Sequence, residues 1–164
     1  IMNFIAANNA NDIFYNYLLS GIYSPKASIQ TIANAMDVGD PSNFARILDL
    51  YKSSHAEICN HISGATYSDD EIAATMKKCY EQTGYVLDPH GACGYQALKD
   101  NLKEGETGVF LETAHPAKCK EKVDAILSTD IEIPTRLADF MKGKKQSLEM
   151  AADFSAFKQF LLSV

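Results

Sequence analysis

The chain contains no tryptophan in its 164 residues, and none of its apolar runs approaches the roughly 18 residues that a membrane span needs. Asn3, Asn8, Asn9 and Asp12 interrupt the opening stretch, so it cannot serve as the apolar core of a signal peptide. Neither GxGxxG nor GxxxxGK[ST] occurs, so the common phosphate-cradling loops are missing. Cysteine is sparse. Cys59, Cys79, Cys93 and Cys119 form no CxxC pair, and no metal site is expected. Each lies in a helical, apolar setting and is expected to be a reduced, buried thiol in a cytoplasmic protein. Positive charge is also short. Lys and Arg number 15 against 21 Asp and Glu, a net charge of −6. A reader of phosphate backbones normally shows a basic face, so no nucleic-acid partner is expected. The largest basic cluster, Lys142, Lys144 and Lys145, is broken by Gly143 and reads as a solvated loop.

Hydrophobic residues make up 46 % and charged residues 22 %, a globular profile with enough length for one core. Residues 2–7 read as a buried strand already under way, which suggests a fragment of a longer protein. Asp12 is placed to cap a helix to Ser20 that Gly21 ends. Asp40 and Pro41 offer an N-cap and a first-turn proline for a helix carrying Phe44, Ile47, Leu48 and Tyr51. Another helix is expected over 56–62. Ser68 and Glu71 form a capping box, and Asp69, Asp70 and Glu71 crowd the first turn, where the helix dipole favours them. Ile72, Met76, Cys79 and Thr83 form the inward stripe of that helix, and Gly84 stops it. Residues 85–87 read as a short strand. Asp88-Pro89 starts a helix to about Leu102, 107–113 reads as a strand, and 116–127 as a helix with Val123, Ile126 and Leu127 inward. Pro134 opens a short helix. Asp153 caps a last one whose Phe154, Phe157, Phe160 and Leu161 are expected to dock on a core. Strands alternating with helices predict an α/β fold, with parallel sheet segments flanked by helices.

The run Leu111-Glu112-Thr113-Ala114-His115-Pro116-Ala117-Lys118 brings a hydroxyl, a carboxylate and an imidazole together where a strand ends and a helix begins. Ligands bind at that location in open α/β sheets. Taken alone, a Thr there is most often structural, and Glu112 with His115 is an acid–base pair only if the geometry allows. His90, at a helix start, reads equally well as a residue bonded to backbone. No Ser, His and Asp set stands out as a triad.

Four segments resemble the threonine synthase family, in its order and spacing. They are the run from Ile5 to Asp12, the stretch from Ser24-Pro25-Lys26-Ala27 through Asn34-Ala35-Met36-Asp37-Val38-Gly39-Asp40-Pro41-Ser42-Asn43-Phe44, the run from Gly84 to Ala92, and the run from Leu111 to Lys118. The stretch from Ala152 to Phe160 resembles the family's C-terminus. The resemblance implies a fold-type-II enzyme that uses pyridoxal 5'-phosphate to convert O-phospho-L-homoserine and water into L-threonine and phosphate. It implies that residues 1–164 are the C-terminal portion of the catalytic domain. The family's aldimine lysine and glycine-rich phosphate loop match positions upstream of Ile1, so no catalytic residue is expected in this chain, and the chain alone is expected to be inactive and without cofactor. Thr113 matches the hydroxyl residue that bonds the cofactor's pyridine nitrogen. A neutral hydroxyl does not force that nitrogen to stay protonated, so it tempers the electron sink. Glu112, His115, Asp88, His90, Asp37, Ser42, Asn43 and Lys118 are weaker candidates near the active site.

Two other readings stay open: a related phospho-lyase acting on a similar phosphorylated amino acid, and a non-catalytic binding module that keeps the fold. A Ser-Phe-Lys-Asp-like segment and a glycine-rich loop upstream would favour the enzyme. A small sheet with open edges also predicts self-association of the isolated chain.

Overall fold

The structure, a computed structural model, describes residues 3–163. The chain divides after Glu132 into two compact units. The larger is built on two parallel strands, β1 (Phe4–Asn8) and β2 (Ile62–Thr66), in register from Phe4 opposite Ile62 to Asn8 opposite Thr66. Parallel neighbours need a long crossover. Here it carries α1 (Ile13–Ser20), α2 (Phe44–Leu50) and α3 (His55–His61). α4 (Asp69–Thr83), α5 (Pro89–Asn101), a 3-10 turn (Pro116–Cys119) and α6 (Lys120–Leu127) follow. The smaller unit holds α7 (Thr135–Met141) and α8 (Phe154–Ser163).

Local chemistry explains the helix ends. Ser68 Oγ accepts from Glu71 N while Glu71 returns a bond to Ser68 N, completing the capping box. Gly21 and Gly84 close α1 and α4 at φ of 71° and 72°, a left-handed conformation that glycine adopts without a Cβ penalty. Asp88 Oδ1 accepts from His90 N (2.7 Å) and Gly91 N (3.3 Å), capping α5 over its N1 proline.

Two cores result. Ile72, Met76, Leu87, Ala92 and Val123 pack between α4, α5 and α6. Tyr17, Leu18, Phe44 and Ile58 pack between the crossover helices, with the Tyr17 and Phe44 rings edge-to-face at 4.6 Å. Full burial of a side chain such as Ile72 or Met76 contributes roughly 1.5–3 kcal/mol.

The α/β class with a parallel pairing holds, but several expectations need correction. The first strand is Phe4–Asn8, and residue 2 of the expected span lies outside the described residues. Residues 85–87 and 107–113 run extended without a ladder partner among the described residues, so neither is a strand. β2 instead forms at Ile62–Thr66, where Ser63 and Gly64 weaken strand propensity. Gly64 is there for space: a Cβ would press on Leu18 and Tyr15 of α1. Asp12 sits at the N-cap of α1 without a side-chain cap bond, because its carboxylate pairs with Lys26 at 2.6 Å. Asp40 accepts from the Tyr23 hydroxyl and α2 starts only at Phe44. In α4, Thr75 is buried and Thr83 is exposed; Thr83 bonds back to Cys79 O. Cys79 and Cys93 are buried free thiols, but Cys59 is exposed and Cys119 is half-buried. Asp153 caps α8 by accepting from Ala156 N at 2.8 Å, yet Phe154, Phe157 and Leu161 stand exposed.

Candidate functional site

A cleft of about 400 Å³ opens beyond the C-terminal end of β1, lined by Asn8, Asn9, Met36, Asn43 and His90 among others. This is where open parallel sheets place ligands. Its floor is held by one polar network. Asn9 Nδ2 donates to Thr31 Oγ1 (3.0 Å) and to Ala33 O (2.8 Å). Asn11 pairs through both side-chain atoms with the Ile29 backbone, each bond 2.8 Å. Asp37 accepts from Thr31 Oγ1 (3.1 Å) and from Asn34 Nδ2 (2.8 Å). Lys122, reaching over from α6, donates to Thr31 O at 3.0 Å and to Asn34 Oδ1 at 3.3 Å. Asp37 is therefore the hub of a loop scaffold. Ser42 and Asn43 are exposed at the start of α2, and of these two Asn43 lines the cleft.

A second candidate region is the extended segment 107–113, which lies along α5. Alternate residues of an extended chain face opposite sides, and here one side is fastened down. Gly108 abuts Leu98 and Leu102, leaving no room for a Cβ. The Phe110 ring meets Tyr95 edge-on at 5.5 Å. Glu112 reaches the N-terminus of α5, where its Oε1 accepts from Asp88 N at 2.7 Å. Val109 and Leu111, on the other side, are 83 % and 75 % exposed. Thr113 follows them in that phase. It is exposed, and its hydroxyl is engaged by no hydrogen bond among the described residues.

Asp88 and Glu112 form the most unusual contact. Asp88 is buried, and both Asp88 Oδ2 and Glu112 Oε2 are buried without a hydrogen-bond donor. Burial, and then the hydrogen bond to the Asp88 carboxyl, push the Glu112 carboxyl up to about 7. Gly91 makes the contact possible, because a Cβ at residue 91 would overlap Glu112 Oε2.

The remaining candidates are separated from that contact by role. His115 Nδ1 accepts from Ala117 N at 3.1 Å, capping the 3-10 turn and leaving Nε2 to carry the ring proton. Its ring lines a second cleft of about 600 Å³ with Tyr85, Asp130 and Glu132. Glu112 and His115 thus do not form an acid–base pair in this structure: each side chain has a different partner. Lys118 is an exposed lysine of the turn. His90 donates its backbone N–H to Asp88 and is among the residues lining the first cleft. Among the described residues, no group of three His, Cys, Asp or Glu could hold a metal ion.

A family model described as pyridoxal-phosphate dependent enzyme matches residues 2–113. The chain belongs to that family. A second model, threonine synthase, C-terminal, matches residues 91–161, so the two overlap over residues 91–113, which include Glu112 and Thr113. Threonine synthase of Haemophilus influenzae is 43 % identical over 162 residues, 99 % of this chain and 38 % of that protein. That of Escherichia coli is 39 % identical over 163 residues, again 99 % of this chain and 38 % of the relative. The crystal structure of the Escherichia coli threonine synthase superposes with a TM-score of 0.80 at 38 % identity, covering 99 % of this chain and 38 % of that one. The structure of threonine synthase from Brucella melitensis with pyridoxal phosphate bound gives 0.79 at 27 % identity, over 98 % of this chain and 40 % of that one. The chain thus spans about 38 % of the length of the curated relatives it matches.

Asn9 and Asn11, which line the first cleft, and Thr31, Asn34 and Lys122, which bond in the network beneath it, are residues that sequence reasoning did not single out. The available signal was the Asn8-Asn9 pair directly after a strand. Nothing local in the sequence points to Lys122, which lies 88 residues from Asn34.

Proposed function

We propose that this chain is the C-terminal portion of the catalytic domain of a threonine synthase. The whole protein would be a cytoplasmic carbon–oxygen lyase acting on a phosphate ester. It would convert O-phospho-L-homoserine and water into L-threonine and phosphate, the last step of threonine biosynthesis, with pyridoxal 5'-phosphate as cofactor. The observation that carries this reading is similarity at 43 % identity over 99 % of the chain, with a free, exposed hydroxyl at Thr113.

The residues here suit one edge of the cofactor. Pyridoxal phosphate supplies the electron sink that labilises bonds on the substrate's carbons. Thr113 offers an uncharged hydroxyl, unspent on protein partners, for the ring nitrogen. The cleft beside β1, lined by asparagines and His90, offers polar groups for the substrate. The resemblance matches none of this chain's lysines to the position that carries the cofactor, and none of its segments to the glycine-rich loop that holds its phosphate. Those parts belong upstream, so the chain alone should be inactive.

Phosphate release from O-phospho-L-homoserine by the full-length protein tests the activity; no release with cofactor present would reject it. Thr113→Val should weaken cofactor retention by about one hydrogen bond, ~1 kcal/mol or about fivefold. Titration of the isolated chain with pyridoxal phosphate, then borohydride reduction and mass mapping, should find no single stoichiometric lysine adduct. One such adduct would make this chain a self-contained cofactor site. The exposed Val109–Leu111 edge supports self-association of the isolated chain, and a monomeric mass in light scattering at high concentration would refute it.

A further inference from the structure

The contact between Asp88 and Glu112 presents a chemical puzzle that the cofactor reading alone does not absorb. Two carboxyl groups meet at the start of α5, each with one buried oxygen that no donor reaches. Buried acceptors without donors are costly. No ion pair among the described residues includes either group. The titratable neighbours supply no cation. The Tyr85 phenol is pushed up by burial and then by both carboxyls, and the Cys93 thiol is pushed up to about 12 by burial and then by Asp88, so both are neutral. Further out, Cys79 faces Tyr85 and Asp69 faces Cys93, and neither adds positive charge. The arrangement closes chemically when one proton lies between the two oxygens. It then becomes a hydrogen bond of the strong, charge-assisted type.

Position gives the bond a consequence. Glu112 is the last fastened residue of the extended segment, and Thr113 is the next residue. Gly91, by lacking a Cβ, leaves the space in which the Glu112 carboxyl sits.

We propose that Asp88 and Glu112 share a single proton, and that this proton-bridged pair is the positioning device that aims Thr113 at the cofactor's ring nitrogen. The second half rests on the reading of Thr113 given above; the first half does not. Glu112 is a positioning residue: it acts through Thr113 and touches no substrate. Raising the pH through about 7 removes the proton, sets two negative charges against each other and releases the segment.

The test uses the full-length protein. Infrared difference spectra between wild type and Glu112→Gln, without cofactor, should show a protonated carboxylic acid carbonyl in wild type at pH 6 that fades by pH 8. Its absence at pH 6 would overturn the shared proton. Gly91→Ala, which displaces the carboxyl without deleting it, should abolish or shift the same band; an unchanged band would also count against the pair. With pyridoxal phosphate bound, the wild-type absorbance should titrate with a midpoint near 7. Glu112→Gln, which keeps a permanent donor, should hold the low-pH spectrum through pH 8, and Glu112→Ala should show neither that spectrum nor the midpoint. A wild-type midpoint persisting in Glu112→Gln would overturn the positioning role. Failure of the wild-type protein to bind pyridoxal phosphate would remove the cofactor reading and the positioning role together, while the infrared arm judges the shared proton by itself.

Discussion

Two polar clusters flank the site, and they are built on opposite rules. Around Asp37 every carboxylate oxygen has a donor: Thr31 Oγ1 and Asn34 Nδ2 bond to it, and Lys122 closes the ring from α6. At Asp88 and Glu112 two oxygens are buried with no donor and no cation. The first cluster is a scaffold. Its donors are amides, a hydroxyl and an ammonium, and every acceptor oxygen of Asp37 is met without an added proton. The second is completed only by a proton, so it is the part of the site that pH can rearrange. A satisfied network fixes the loop that floors the cleft, whereas a network missing one proton holds the segment that ends at Thr113.

The comparison is broken most severely at Gly91. Gly91→Ala drives a Cβ into Glu112 Oε2 in a buried corner, and overpacking of this kind costs about 1–3 kcal/mol. The loss should appear as a lower urea midpoint at unchanged slope. Pairing it with Glu112→Ala should recover much of it, since the clash partner is gone. A double variant as damaged as the sum of the singles would mean that the two positions are independent.

Asp37→Ala tests the other cluster. It leaves Thr31 Oγ1 and Asn34 Nδ2 without their acceptor, at a cost of about 1–2 kcal/mol. That cost should be the same at pH 5.5 and pH 8, because the bonds lost there involve a hydroxyl and an amide and need no shared proton. Lys122→Met should act in the same direction, about 1 kcal/mol, loosening residues 29–38 without touching α5. Faster hydrogen exchange confined to that loop is the expected signature, and spread of the effect to residues 107–113 would show that the clusters are coupled.

What was legible in the sequence is what short-range chemistry decides. The capping box at Ser68, the Asp88-Pro89 start of α5 and the Gly84 stop are all written within a few residues. The segments at 85–87 and 107–113 have strand-like composition, but a ladder is a property of two backbones, and no partner stands beside them among the described residues. β2 was missed for the converse reason: its Gly64 answers to the bulk of Leu18 and Tyr15 across the crossover. At the candidate site, Thr113 is proposed through a run of residues that resembles the family. The reason for its placement was hidden, because Asp88 and Glu112 are 24 residues apart and Gly91 looks like any helix-interior glycine until Glu112 lies against it.

The smallest expected effect is also the one that separates the clusters most sharply. Burial, and then the hydrogen bond to the Asp88 carboxyl, push the Glu112 carboxyl up to about 7 in the fold from 4.5. The folded state therefore binds this proton more tightly than the unfolded chain does. Its contribution is complete below about pH 4.5 and is lost as pH rises through about 7. Glu112 is only half-buried, so solvent screening keeps the change modest. In wild type, the unfolding temperature should decline between pH 5 and pH 8 beyond the decline seen in Glu112→Gln, and Asp37→Ala should keep the wild-type slope while sitting lower throughout. Parallel profiles for wild type and Glu112→Gln would place the titrating group elsewhere. A slope lost in Asp37→Ala would mean that the loop scaffold, through its contacts with α6, also holds the carboxyl pair in place.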